Sequence, residues 1–128
     1  PELDMNVLAA EDNMRNQTVL REILGMCGCR VSFANDGAEA VAKWREASYD
    51  LIFMDCQMPQ VDGFSATREI RAAEQATDRP RTPIIGLTGN VFEESRNECL
   101  AAGMDDYLGK PFRIKQLLDV MKKHVHSH

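Results

Sequence analysis

Five polar side chains in this sequence are spaced so that they could do chemistry together: Glu11, Asp12, Asp55, Thr88 and Lys110. Glu11 and Asp12 follow the apolar run Val7-Leu8-Ala9-Ala10, Asp55 follows Leu51-Ile52-Phe53-Met54, and Thr88 closes Ile84-Ile85-Gly86-Leu87. Lys110 comes just after the weaker run Tyr107-Leu108. Three carboxylates brought within a few ångströms repel one another, by about 4 kcal/mol for each pair of unit charges roughly 4 Å apart at an effective dielectric of about 20. Such a cluster persists where a cation is shared. Carboxylate and carbonyl oxygens suit Mg²⁺, which keeps some of its waters and often binds phosphate oxygens as well. A lysine adds a compact positive charge, and a threonine hydroxyl can donate to an anionic oxygen. The chemistry this set supports is transfer of a phosphoryl group to a carboxylate nucleophile beside a divalent metal.

Each residue also has a plain structural reading. An Asp after a strand often caps the next helix, Glu11-Asp12 would favour a helix dipole, Thr88 could cap, and Lys110 could be a solvated charge. Their joint placement at successive strand ends favours the functional reading. In open α/β sheets, ligands bind outside the carboxyl ends of the strands.

The elements that must position these residues are legible as alternating patterns. The four stronger runs are Val7–Ala10, Val31–Ala34, Leu51–Met54 and Ile84–Leu87, with Tyr107-Leu108 as a fifth. Short, nearly continuous apolar runs suit parallel strands buried on both faces. Between them lie helical stripes: Val19, Leu20, Ile23 and Leu24; then Ala38, Val41, Ala42, Trp44 and Arg45 after the Asn35-Asp36-Gly37 turn. Phe64, Thr67, Ile70 and Arg71 follow Gly63, and Phe92 to Ala102 closes at Gly103, which is placed as a helix C′ residue. Ile114, Leu117, Leu118 and Met121 form the last stripe. Five strand–helix alternations predict a parallel sheet with helices on both faces and right-handed crossovers. The polar stretch from Gln75 to Pro83, with two prolines, reads as a surface loop.

Composition narrows the classes further. A chain of 128 residues fits one domain, taken as 1–128, with 124–128 as a frayed tail. A net charge of −5 argues against nucleic acid or an anionic membrane surface as a partner, since both call for a basic face. No apolar run approaches the roughly 20 residues of a membrane span, and no signal peptide opens the chain. Cys27, Cys29, Cys56 and Cys99 lack the partners of a zinc site and read as reduced thiols, which places the domain in the cytoplasm. A first residue of Pro1 is compatible with a piece of a longer protein.

The segments Val7–Asn13, Asp50–Pro59 with Asp62-Gly63, Pro83–Thr88 and Gly103–Phe112 together resemble the receiver domain of two-component response regulators, and most of all the receivers of hybrid sensor histidine kinases. The resemblance runs from Met5 to about Val125. It implies a flavodoxin-like three-layer (βα)5 sandwich with strand order 2-1-3-4-5. It implies phosphorylation of Asp55 by a partner phosphohistidine, and direct ligation of Mg²⁺ (or Mn²⁺ in its place) by Asp12, Asp55 and the backbone carbonyl of Gln57, with Glu11 in support. Lys110 would pair with the carboxylate and then with a phosphoryl oxygen, and Thr88 and Tyr107 would form the switch. Gln57 and Asn90 would tune loss of the phosphoryl group, and the Lys110–Pro111 peptide would be cis. Met14, Arg15, Pro111 and Phe112 would border the docking site of a histidine kinase or a histidine phosphotransfer domain. The domain would promote its own phosphorylation and dephosphorylation, which leaves its standing as an enzyme open, as it leaves open a membrane-anchored hybrid kinase as the parent.

Two positions depart from the commonest pattern. Gly86 and Gly89 stand where alanine is frequent, which suggests a looser Thr88 loop. Cys56 beside the nucleophile is uncommon and reads as a small apolar group. Rival functions fit less well. A flavin carrier would need a phosphate-cradling loop after the first strand, where Glu11-Asp12 would repel the phosphate. An aspartate-nucleophile phosphatase would want an acid at Gln57. A receiver that binds partners without being phosphorylated predicts a gap in the acidic set, and the sequence has none.

Overall fold

The computed structural model describes residues 4–56, 62–89, 93–109 and 113–124, leaving aside the side chains of 93–95. Ten elements alternate strictly: β1 (Asn6–Ala10), α1 (Met14–Met26), β2 (Arg30–Ala34), α2 (Gly37–Glu46), β3 (Leu51–Asp55), α3 (Gly63–Thr77), β4 (Ile84–Thr88), α4 (Glu93–Ala102), β5 (Asp106–Gly109) and α5 (Ile114–His124). All strand pairings are parallel and the order is β2-β1-β3-β4-β5. This is the order the family resemblance implies.

Alternation along each strand divides the core in two. Val7, Ala9, Leu51, Phe53, Ile85 and Leu87 point to one face, where Leu20, Ile23 and Leu24 of α1 and Leu117 and Met121 of α5 cover them. Leu8, Ala10, Ile52, Met54 and Ile84 point to the other, under Trp44 of α2, Ile70 of α3 and Cys99 of α4. Strands buried on both sides explain why the sequence reads as apolar runs rather than alternating ones.

Helix ends follow local chemistry. Asn13, Asp36 and Asp62 cap α1, α2 and α3 by accepting from backbone N–H groups one turn in. Gly28 and Gly103 both have positive φ, and each closes its helix with paired bonds to carbonyls of the last turn: Gly103 N–H to Leu100 and Met104 N–H to Cys99 at the end of α4.

The structure corrects four local expectations. The buried face of α2 is Gly37, Ala40, Val41 and Trp44, while Ala38, Ala42 and Arg45 are exposed. Gln75–Thr77 continue α3, which stops at Asp78 in a left-handed conformation (φ 58°). Beyond it the loop is pinned: Arg79 stacks 3.9 Å from the centre of the Trp44 ring, and the Thr82 N–H donates to Glu74. Ile114 is exposed rather than part of the α5 stripe. His124 ends α5, half-buried with Nε2 3.2 Å from Asp106, so the tail that was expected to fray from residue 124 has its first residue in the helix; residues 125–128 lie outside the described residues.

Candidate functional site

Register brings the acids together. Ala10 pairs with Met54, so Glu11, one residue on, stands level with Asp55 at the carboxyl edge of the sheet. Carboxylate oxygens of Glu11, Asp12 and Asp55 all lie within 4.8 Å of one another. Glu11 and Asp55 are buried and Asp12 is exposed at the mouth, which orients the cluster toward solvent. At that spacing two carboxylates repel by about 3 kcal/mol in a medium of effective dielectric about 20. Three hard-oxygen donors so close fit a small divalent cation of the Mg²⁺ type.

The Glu11 carboxylate is held in place. One oxygen accepts from the Asn13 N–H at 3.1 Å, and the other from the Asn16 side-chain amide, also at 3.1 Å. Gln17 donates its amide to the Glu11 carbonyl and to Asn35. Sequence reasoning missed these three supports. The signal available was Asn13 as the N-cap of α1, which fixes the first turn and so places Asn16 and Gln17 beside the strand end.

Asp55 is positioned by a close approach of backbone to backbone. A Cβ built on Gly63 would meet the Asp55 carbonyl oxygen at 2.1 Å, so only glycine lets α3 begin so near the end of β3. Thr88 ends β4 and is buried on the same edge, since Asp55 pairs with Leu87 one residue before it. Tyr107 lies in β5 opposite Gly86, half-buried against the core face that carries α2, α3 and α4. Met14 is 79% exposed, and Arg15 is exposed too, at the start of α1 next to the acids. Gln57, Asn90, Lys110, Pro111 and Phe112 lie outside the described residues, and with them the carbonyl ligand, the cis peptide, the amide pair and one side of the docking border.

Directly after Asp55 comes Cys56, whose sulfur is 3.6 Å from that of Cys99. A hydrogen bond with Cys56 holds the Cys99 thiol below its ordinary pKa against the opposing effect of burial, whereas burial pushes the Cys29 thiol up. Gly86 is part of this arrangement. A Cβ there would stand 2.6 Å from the Met104 sulfur, 3.1 Å from that of Cys99 and 3.3 Å from that of Cys56. Glycine at 86 therefore makes room for sulfur in the middle of β4, whereas a side chain at Gly89 would meet open space.

Comparison with known proteins agrees with this geometry. The family profile described as the response regulator receiver domain matches residues 7–122. Hybrid signal transduction histidine kinase L of Dictyostelium discoideum is 41% identical over 121 residues, which is 92% of this chain and 7% of that protein. The crystallised receiver domain of sensor histidine kinase PA1611 from Pseudomonas aeruginosa, which has a magnesium ion coordinated in its active site cleft, is 44% identical with a TM-score of 0.86, covering 97% of this chain and 99% of that one. The receiver domain of Ssk1 from Saccharomyces cerevisiae, crystallised with the histidine phosphotransfer protein Ypd1, is 31% identical with a TM-score of 0.89, covering 95% and 89%. This chain spans 7% of the length of that Dictyostelium kinase and 16% of the length of histidine kinase 5 from Arabidopsis thaliana, which is 34% identical. Among the described residues no helix is long and apolar enough to cross a membrane.

Proposed function

The chain belongs to the response regulator receiver domain family of two-component signalling, and from that premise we propose that Asp55 is its phospho-acceptor. The donor is a phosphohistidine on a partner, either a histidine kinase or a histidine phosphotransfer protein. The Asp55 carboxylate attacks phosphorus in line, the phosphorus–nitrogen bond breaks, and the imidazole leaves with its electron pair. Asp12, Asp55 and the Gln57 carbonyl would hold Mg²⁺ directly, with Glu11 in support. Bound there, the ion neutralises charge on the carboxylates and on the phosphoryl oxygens. Lys110 pairs with a phosphoryl oxygen, and the Thr88 hydroxyl turns to donate to another. Tyr107 follows Thr88 inward, so that α4, β5 and α5 carry the change to a partner as a shift of population. Gln57 and Asn90 set how readily water removes the phosphoryl group. Met14 and Arg15 meet the donor, together with Pro111 and Phe112. The parent is a hybrid kinase in this reading, and the phosphoryl group passes onward to a histidine phosphotransfer protein.

The observation that carries this proposal is the convergence of three carboxylates within 4.8 Å at one sheet edge. Incubation with acetyl phosphate and Mg²⁺ should add one phosphoryl mass to the chain. Chelation with EDTA should abolish the gain, and Asp55→Asn should remain unmodified. Equal labelling of Asp55→Asn would sink the proposal.

A further inference from the structure

Three sulfurs from three parts of the chain meet over one glycine. Cys56 follows β3, Cys99 lies in α4, and Met104 stands between α4 and β5. All three are buried, and Gly86 provides the space in which they converge. Cys56 and Cys99 are 43 residues apart in sequence, yet their sulfurs are 3.6 Å apart. In a disulfide the two sulfurs stand about 2.0 Å apart. Packing alone does not require that two thiols meet. Here the two thiols face each other directly, and a Cβ on Gly86 would press on both sulfurs.

The position of Cys99 gives the contact its meaning. Among the described side chains of α4, only Cys99 and Ala102 are buried. The thiol that faces Cys56 is therefore one of the two buried side chains among those described on this helix.

We propose that Cys56 and Cys99 are a redox-sensitive pair, which a peroxide closes into a disulfide that staples α4 to the end of β3 beside Asp55. Cys56 is 5% exposed and Cys99 is fully buried, so the peroxide meets Cys56 first. The Cys56 sulfur attacks one peroxide oxygen, the O–O bond breaks, and a sulfenic acid and one water form. The Cys99 sulfur then attacks the Cys56 sulfur, and the hydroxyl leaves with the Cys99 proton as a second water. Two thiols are oxidised by two electrons and one peroxide is reduced. The bond itself stands apart from the phospho-acceptor reading of Asp55. Its effect on signalling rests on that reading, because a stapled α4 cannot follow Thr88.

The test treats the folded 128-residue chain with hydrogen peroxide, alkylates the remaining thiols and maps the peptides without reduction. The expected product has lost two hydrogen masses, contains a Cys56–Cys99 linked peptide and reverts with dithiothreitol. Its thermal midpoint rises by about 10 °C, because the bond closes a long loop. Cys99→Ala should give no linked peptide, and the wild-type map decides the matter even if that variant folds poorly. Alkylation of both cysteines after peroxide treatment, or a link to Cys27, Cys29 or another chain, would each overturn the pair, and a closed product with an unchanged midpoint would refute the staple. Acetyl phosphate labelling of both redox forms is scored separately. Labelling should be several-fold slower in the closed form, and equal rates would refute the staple's hold on the switch. No labelling in either form would remove the phospho-acceptor reading and leave the disulfide result standing.

Discussion

Helices α1 and α4 both follow strands that deliver site residues, but they are held in different ways. Helix α1 buries Leu20, Ile23 and Leu24 in the core, and its first turn holds the Glu11 carboxylate through Asn13 and Asn16. Among its described side chains, α4 buries Cys99 and Ala102 and leaves Leu100 exposed. The C-terminal end of α4 is tied down by the Gly103 carbonyl, which accepts from Arg71 at 2.8 Å and from Arg81 at 3.1 Å. Among the described side chains, the strand end that carries Glu11 and Asp12 is thus followed by a well-packed helix, and the strand end that carries Thr88 by a helix with two buried residues. That division suits a site in which acids must stay fixed while a neighbouring element moves, since mobile elements come from the less stable parts of a fold.

The most damaging way to break the contrast is to cut the mooring. Arg71 is largely buried, and it bonds Glu74, Asp105 and the carbonyls of Thr82 and Gly103. Arg71→Ala leaves the buried Glu74 without its guanidinium partner and the half-buried Asp105 with Arg81 still beside it, and should cost about 3 kcal/mol in urea unfolding. Arg71→Lys should recover only part of that, because one ammonium cannot replace a planar fork with several donors. A cost below about 1 kcal/mol would mean that α4 is held elsewhere.

Next in size is a direct comparison of the two helices. Leu24→Ala removes a fully buried side chain from α1 and should cost about 3 kcal/mol. Cys99→Ala removes one buried sulfur from α4 and should cost about 1 kcal/mol. Equal losses would erase the distinction. Hydrogen exchange sharpens it, since α4 amides should open well before those in the middle of α1.

Much of this contrast could not be read from the sequence. Leu20, Ile23 and Leu24 announce α1 because a helix packed on a sheet needs a local apolar stripe. The three central strands announce themselves for a related reason, being buried on both faces. The acids were legible because each ends such a strand and register then places them side by side. Helix α4 gives no comparable stripe, and its fastenings come from far along the chain: Arg71 on α3, Arg81 in a loop, and Cys56 across 43 residues. Long-range partners leave no periodic trace. Gln75–Thr77 read as loop because they are polar, and the αL residue that ends α3 is Asp78, whereas glycine is the usual residue in that conformation. Gly63 shows the same limit at the site. Its place in the Asp62-Gly63 motif is visible, but the reason for glycine is a carbonyl eight residues upstream.

A smaller loss tests the fixed side alone. Asn13→Ala removes the cap of α1 and should cost about 1 kcal/mol. It also frees the first turn that positions Asn16 against Glu11. If that turn holds the acid in place, Mg²⁺ affinity by calorimetry should fall more in Asn13→Ala than in Asp36→Ala, which uncaps α2 away from the cluster. Equal affinities in the two variants would mean that Glu11 needs no such support.

The smallest effect concerns how α5 is tied to β5. Asp106 in β5 meets His124 at 3.2 Å and Lys123 at 3.4 Å, both on the last turn of α5. Burial raises the Asp106 pKa, but the Tyr107 N–H, His124 and Lys123 together outweigh burial and hold the carboxyl below its ordinary range. A folded-state pKa below the unfolded one means the ionised form is favoured by folding. The stabilisation is therefore complete above the unfolded value of about 3.9, and it is lost as pH falls toward the lower folded value. Exposure to solvent keeps it to about 0.5 kcal/mol. Asp106→Asn lacks this increment at every pH, so the stability gap between wild type and variant should be widest near neutrality and should close below about pH 4. A gap that is constant from neutral to acid would show that Asp106 acts through shape and hydrogen bonding alone. In that case the charge on α5 would play no part in docking it to the strand that carries Tyr107.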